Sequence, residues 1–299
     1  MLKGKDFLSL NDLTAEEILS IFDLTKKLKK EKLSNVLKGK IIALIFQKPS
    51  TRTRVSFETG IYQLGGKSII LNWSELQLGR GESVEDTART LERYVDAVVA
   101  RVFSHEDLVK MAKASKIPII NALSDFTHPC QGLADLFTIE EKIGLKKVSK
   151  IAYVGDGNNN VCHSLIFGCS KLGLKLVVAC PKGYEPRKEV LVKAKKVEIL
   201  NNPIEAVKNS DVVYTDVWIS MGMEKEVEER KKVFSPFQVN KKLFVYAKKN
   251  AIFMHCLPAH REIEVTDEVI DSKNSVVWDQ AENRLHTQKA LLSMLINDL

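Results

Sequence analysis

No apolar stretch in this 299-residue chain approaches the roughly 18–20 residues that a bilayer-crossing helix needs, so no membrane span is expected. The opening Met1-Leu2-Lys3-Gly4-Lys5-Asp6 lacks an apolar h-region, so no secretory signal is expected either. Cysteine is scarce: Cys130, Cys162, Cys169, Cys180 and Cys256 make an odd number, five, with no CxxC spacing. That argues against a disulfide framework and against a structural zinc site, and it suits a reducing cytoplasm. Repeats in the solenoid range and low-complexity tracts are also missing. So are basic blocks interleaved with aromatics. The formal charge is +7, yet the lysines are spread in pairs such as Lys26-Lys27, Lys146-Lys147 and Lys248-Lys249. A nucleic-acid surface is therefore not expected, and attraction for small anionic substrates accounts better for the excess.

What the chain does have is an alternation of strand and helix patterns from end to end. With 44% hydrophobic residues it can bury substantial cores, and its length favours two domains. Thr14-Ala15-Glu16-Glu17 reads as a capping box opening a helix through about Lys30. Short apolar runs predict strands at 40–46, 67–71, 96–100 and 117–120, with helical patterns at 84–94, 105–114 and 131–142. After a linker at Gly144-Leu145-Lys146-Lys147, strands are expected at 151–154, 174–179, 197–200, 212–215 and 251–255. A last helix covers about 279–299. The fold class is α/β: two doubly wound parallel-sheet domains, 1–143 and 144–279, with the C-terminal helix 280–299 returning to the first. Ligands are expected at the strands' carboxyl ends, in a cleft between the domains.

One cluster carries the most chemistry. Ser50-Thr51-Arg52-Thr53-Arg54 follows the run Ile41 to Phe46 and opens a helix marked by Phe57, Ile61 and Leu64. Free N–H groups at a helix start favour an anion, hydroxyls add donors, and an Arg fork matches phosphate oxygens. This is a phosphate seat without a glycine-rich loop. The bland alternative is a Ser/Thr cap with solvated arginines. Further loaded clusters also follow strands: Arg101, His128-Pro129-Cys130-Gln131, Gly155 to Asn160, Asp216 to Gly222, and His255-Cys256-Leu257-Pro258. The glycines at 155 and 157 raise a nucleotide-dependent reading. A dinucleotide fingerprint, however, wants a small residue where Asn160 stands and an acid after the next strand, which ends Ala179-Cys180-Pro181-Lys182.

Taken in order, these clusters with Asn283-Arg284-Leu285-His286 closely resemble the aspartate/ornithine carbamoyltransferase superfamily over nearly the whole chain. Ser220-Met221-Gly222 and Cys256 resemble the ornithine-type branch, since aspartate-type members carry His-Pro-Leu-Pro where this chain has His255-Cys256-Leu257-Pro258. The resemblance implies carbamoyl phosphate and L-ornithine as substrates, no cofactor or metal, and a homotrimer or a multiple of trimers. It assigns carbamoyl phosphate to Ser50, Thr51, Arg52, Thr53, Arg101, His128, Pro129, Cys130, Gln131, Cys256, Leu257 and Arg284, with Gln77 reaching an adjacent subunit's site. Catalytic roles fall to Cys256, Arg101 and His128. Ornithine falls to Asn160, Asp216, Ser220 and Met221, where counting from the preceding strand instead of the following helix would select Asn159. A related carbamoyltransferase for another amine, such as putrescine, is the alternative within the family.

Overall fold

The computed structural model describes residues 2–31, 33–219 and 227–298. Its chain divides into two compact units, residues 1–134 with 282–299, and residues 135–281.

The first unit is built on four parallel strands: β1 (Ile41–Phe46), β2 (Lys67–Asn72), β3 (Ala97–Arg101) and β4 (Ile119–Leu123), in the order β2-β1-β3-β4. β1 from its second residue and all of β3 are buried. That is what a sheet covered on both faces demands, and it explains the unbroken apolar runs. β4 begins two residues later than its apolar run suggests, since Pro118 has no N–H for a ladder and serves only as acceptor to Val98 N at 2.9 Å.

The helices around this sheet are α1 (Ala15–Lys30), α2 (Thr51–Gln63), α3 (Val84–Leu91), α4 (His105–Ala114) and the start of α5 (Pro129–Lys142). The expected capping box is present: Glu17 N donates to Thr14 Oγ1 at 3.2 Å and Thr14 N to Glu17 Oε2 at 3.0 Å. α3 stops three residues short of the expected 94, because Arg93 and Tyr94 turn back on Thr90 and Leu91 and Tyr94 is left 70% exposed.

The second unit carries five parallel strands, β5 (Ile151–Val154), β6 (Leu176–Ala179), β7 (Val197–Leu200), β8 (Val212–Thr215) and β9 (Ile252–His255), in the order β7-β6-β5-β8-β9. Between them run α6 (Asn160–Leu172), α7 (Lys188–Leu191), α8 (Pro203–Val207), α9 (Val227–Phe234), α10 (Lys241–Phe244) and α11 (Asp267–Ile270), followed by α12 (Val277–Ile296). Its core gathers Val154, Val177, Val213, Phe253 and Val277.

Residues 282–296 of α12 belong to the first unit, so the expected return of the C-terminal helix is observed. Lys289 fixes it there: its buried ammonium donates to Leu28 O (3.0 Å), Glu31 O (3.2 Å) and Gln63 Oε1 (3.0 Å). A cation at the last carbonyls of α1 satisfies acceptors that a helix end leaves open. Among the described residues, no helix is long and apolar enough to cross a membrane.

Strand order determines where ligands can go. In a doubly wound sheet the loops diverge where the order reverses, leaving a crevice at the carboxyl ends. The reversal lies between β1 and β3 in the first sheet and between β5 and β8 in the second. The loops that follow those four strands begin with Gln47, Val102, Gly155 and Asp216.

Candidate active site

In the first unit, Ser50 is the N-cap of α2, with Oγ accepting from Thr53 N at 3.3 Å. An extended cap residue followed by hydroxyl-bearing residues turns the first N–H groups outward, which is how a helix start offers itself to an anion. Thr53 is buried, while Thr51 and Arg52 are exposed. The two arginines of the motif differ: Arg54 Nε meets Glu58 Oε2 at 3.1 Å along the helix surface. A cavity of about 460 Å³ opens beside the motif, lined by Phe46, Gln47, Pro49, Ser50, Thr51 and Arg54 among others.

Arg101 ends β3 and is only 8% exposed. The pairing of β3 with β4 shifts register between Ala100 and Arg101, and such an irregularity re-aims the side chain that follows it. Gln47 N donates to Arg101 O at 2.8 Å, so the phosphate-motif loop and Arg101 share one sheet edge.

His128 immediately precedes α5, and its carbonyl accepts from Gln131 N and Gly132 N at 3.0 and 3.1 Å. The helix starts at Pro129, two residues before the pattern suggests, because proline's fixed φ and missing N–H suit a first helical position. Arg284, from α12, donates from Nη1 to Gln131 Oε1 at 2.6 Å and from Nη2 to Thr53 Oγ1 at 3.4 Å. Burial, then the charges of Arg284, Arg101 and Arg52, push the His128 pKa well below 6.5. The ring is therefore neutral near pH 7, a hydrogen-bonding group in the field of three guanidinium charges. Cys130 is a buried thiol pushed up to about 12 by burial, with Sγ 3.3 Å from Asn121 O, so its side chain packs and does not ionise.

The depressed His128 makes a pH prediction. An unfolded chain takes up a proton near pH 6.5 that the folded chain refuses, so stability present above that pH is lost as pH falls through it. His286, also lowered by burial, acts in the same direction. Urea titrations at about pH 7.5 and 5.5 should show a loss of order 1 kcal/mol, and His128→Gln should shrink it. A midpoint that does not move with pH would contradict this reading.

In the second unit the chemistry converges on Asp216, at the end of β8. Its Oδ1 accepts from Cys256 Sγ at 2.9 Å and from Val217 N at 2.8 Å, and its Oδ2 accepts from Asn159 Nδ2 at 2.8 Å. Asn159 is also the N-cap of α6, its Oδ1 accepting from Val161 N (2.7 Å) and Cys162 N (3.3 Å). Both ends of its amide are thus committed, and it orients Asp216. Asn160, half-buried, is the first residue of α6. Cys256 follows β9 in a turn whose next residue, Leu257, has φ of 57°. That turn is pinned by His255, whose Nδ1 accepts from Leu257 N at 2.9 Å, leaving Nε2–H to donate to Glu264 Oε1 at 3.1 Å. Asp216, His255 and Cys256 bring metal-type donor atoms within 4.8 Å of one another. Both ring nitrogens of His255 already serve the turn, so metal binding there would break it.

The glycine loop after β5 has a packing explanation. A Cβ on Gly157 would lie 2.7 Å from Tyr184 O and 2.9 Å from Pro186 Cδ, so the chain itself fills the space a dinucleotide phosphate would need. Asp156 in that loop is buried against the Arg230 guanidinium, which also donates to Trp218 O at 2.6 Å.

Of the expected residues, Ser50, Thr53, His128, Gln131 and Arg284 share one region of the first unit, and Asp216 and Cys256 meet in the second. Gln77 is exposed and starts a short 3-10 turn, Gln77–Arg80, and it shares no hydrogen bond with the first cluster among the described residues. Ser220 and Met221 lie outside the described residues. Sequence reasoning missed Asn121, whose buried Nδ2 donates to Leu8 O (2.9 Å) and Thr127 Oγ1 (3.0 Å) and so shapes the turn before His128. An apolar strand interrupted by one Asn was its only signal.

The chain matches two family descriptions: aspartate/ornithine carbamoyltransferase, carbamoyl-P binding domain, over residues 5–141, and the Asp/Orn binding domain over residues 147–295. It is 57% identical over 307 residues to an ornithine carbamoyltransferase of Pyrococcus horikoshii, covering 99% of this chain and 96% of the relative. It is 56% identical over 310 residues to one of Pyrococcus furiosus named as anabolic, covering 100% and 98%. Among solved structures it superposes on the ornithine carbamoyltransferase from Pyrococcus furiosus with a TM-score of 0.96 at 55% identity, covering 100% and 99% of the two chains. The Thermus thermophilus enzyme gives a TM-score of 0.91 at 41% identity, covering 99% and 100%.

Proposed function

This chain belongs to the aspartate/ornithine carbamoyltransferase family, and from that premise we propose that it transfers the carbamoyl group of carbamoyl phosphate to the side-chain amine of L-ornithine, giving L-citrulline and phosphate. The anabolic relative supports the synthetic direction, toward arginine. We assign the donor to residues 1–143 with 280–299 and the acceptor to 144–279.

The observation that carries the reading is Arg284, which donates to Gln131 Oε1 at 2.6 Å and to Thr53 Oγ1 at 3.4 Å and so ties the start of α5, preceded by His128, to the helix start that carries Arg52. A neutral amine must attack a carbonyl carbon while the bond from that carbon to the phosphate oxygen breaks. The amine loses a proton, and the phosphate leaves with growing negative charge. Arg52, Arg101 and the helix N–H groups with Ser50, Thr51 and Thr53 hold and neutralise that charge. His128, Gln131 and Arg284 face the carbamoyl oxygen and amide, with Pro129 and Cys130 contributing backbone. A protonated His128 would repel the guanidinium groups, so its low pKa keeps it a donor of fixed charge state. Leu257 stays with the donor by resemblance alone.

On the acceptor side Asn160 is assigned to the α-carboxylate and α-amine end of ornithine, together with Ser220 and Met221. Asp216 and Cys256 receive the reacting amine. Five unbridged cysteines support a cytoplasmic setting, and the exposed Gln77 is available to a neighbouring subunit in a trimer. The experiment is citrulline formation from carbamoyl phosphate with ornithine, aspartate or putrescine in parallel. Ornithine alone should give product, and an equal rate with putrescine would move the assignment to the alternative acceptor.

A further inference from the structure

We propose that Gln288 is a positioning residue that holds Arg284 for carbamoyl phosphate. The proposal rests on the reading just given, in which Arg284 belongs to the donor site. Gln288 lies one helical turn after Arg284 on α12, and both are buried, at 1% and 3% exposure. With its amide turned so that each end meets a suitable partner, Gln288 Oε1 accepts from Arg284 Nε at 3.2 Å and from Nη2 at 3.0 Å. Its Nε2 then donates to Ser56 Oγ at 2.7 Å and to Arg284 O at 3.3 Å.

This grips one whole edge of the guanidinium. An acceptor that takes both Nε–H and an Nη2–H fixes the plane of the fork, whereas a single bond would leave it free to swing. Gln131 takes Nη1 at 2.6 Å, so the group is held from two sides. The other end of Gln288 is anchored on α2, because Ser56 Oγ donates to Thr53 O at 3.2 Å. Arg284, on a helix from the far end of the chain, is thereby registered against the helix that carries Arg52 and Thr53. Registration of this kind decides whether two clamps meet one phosphate compound together, and a group that holds the substrate alike before and during reaction shows its loss as a raised KM.

Steady-state kinetics with each substrate varied in turn would test it, on the unmodified enzyme, on Gln288→Leu and on Ser56→Ala. Gln288→Leu should raise KM for carbamoyl phosphate roughly tenfold, the scale of one hydrogen bond to a charged group, with kcat within about twofold and the ornithine KM unchanged. Ser56→Ala cuts only the anchor and should raise the same KM by about threefold. A carbamoyl phosphate KM within about twofold of the unmodified enzyme in both variants, even with a lowered unfolding temperature, would make Gln288 merely structural and overturn the proposal while leaving the carbamoyl-transfer reading intact. Should Gln288→Leu not fold, Ser56→Ala decides on the same criterion. No citrulline from the unmodified enzyme would overturn both.

Discussion

Arg52→Ala should abolish saturable use of carbamoyl phosphate, lowering kcat/KM for it by roughly 10³-fold, with the unfolding curve unchanged. In the proposed role Arg52 would offer a forked pair of donors and a full charge to a group whose negative charge increases as the bond to carbon breaks. Its removal therefore costs binding and transition-state stabilisation together. The fold should tolerate the change, because Arg52 is exposed in the first turn of α2 and alanine is a strong helix former. Arg54→Ala is the built-in control. That side chain already serves Glu58 on the helix surface, and loss of such a pair is worth only about 0–1 kcal/mol. Kinetics of the two variants side by side would show it, and an Arg52→Ala enzyme with normal carbamoyl phosphate KM would remove the phosphate seat from the mechanism.

Cys256→Ala should strike the other substrate. Asp216 by itself would raise the pKa of a nearby ammonium and keep the nucleophile protonated. The thiol already donates to Asp216 Oδ1 at 2.9 Å, so part of that carboxylate's hydrogen-bonding capacity is taken up before ornithine arrives. Without the thiol, Asp216 would act on the amine undivided. The expected result is a fall of about 10²-fold in kcat/KM for ornithine, and a pH optimum displaced upward because the amine needs a more alkaline solution to deprotonate. KM for carbamoyl phosphate should stay close to that of the unmodified enzyme. If the loss fell on carbamoyl phosphate alone, Cys256 would have to be moved out of its acceptor role.

Most of the fold was legible because parallel strands buried on both faces are short unbroken apolar runs, which made Ile41 to Phe46 and Val212 to Thr215 readable directly. Boundaries slipped where backbone chemistry outweighed hydrophobicity, as at Pro118 and Pro129. Four-residue helices such as Lys188–Leu191 and Asp267–Ile270 span little more than one turn, too short to show a period. In the site, residue types and their place after strands were visible, but their partners were not. Arg284 meets Gln131 across 153 positions, and no local pattern encodes such a pairing. The three asparagines illustrate the same limit. Their order could be counted two ways, and only the cap geometry of α6 shows Asn159 spending both ends of its amide on Asp216 and the helix start.

The division of the chain has a consequence for its synthesis. Residues 135–281 form a contiguous unit, whereas the first unit needs 282–299, with Arg284 and the Lys289 ammonium, to be whole. During synthesis residues 135–281 emerge while α1 and α2 still lack the Lys289 ammonium that joins Leu28, Glu31 and Gln63, so the middle of the protein can mature before the first unit does. The first unit, although most of its residues are made before the second, is thus the later of the two to be completed.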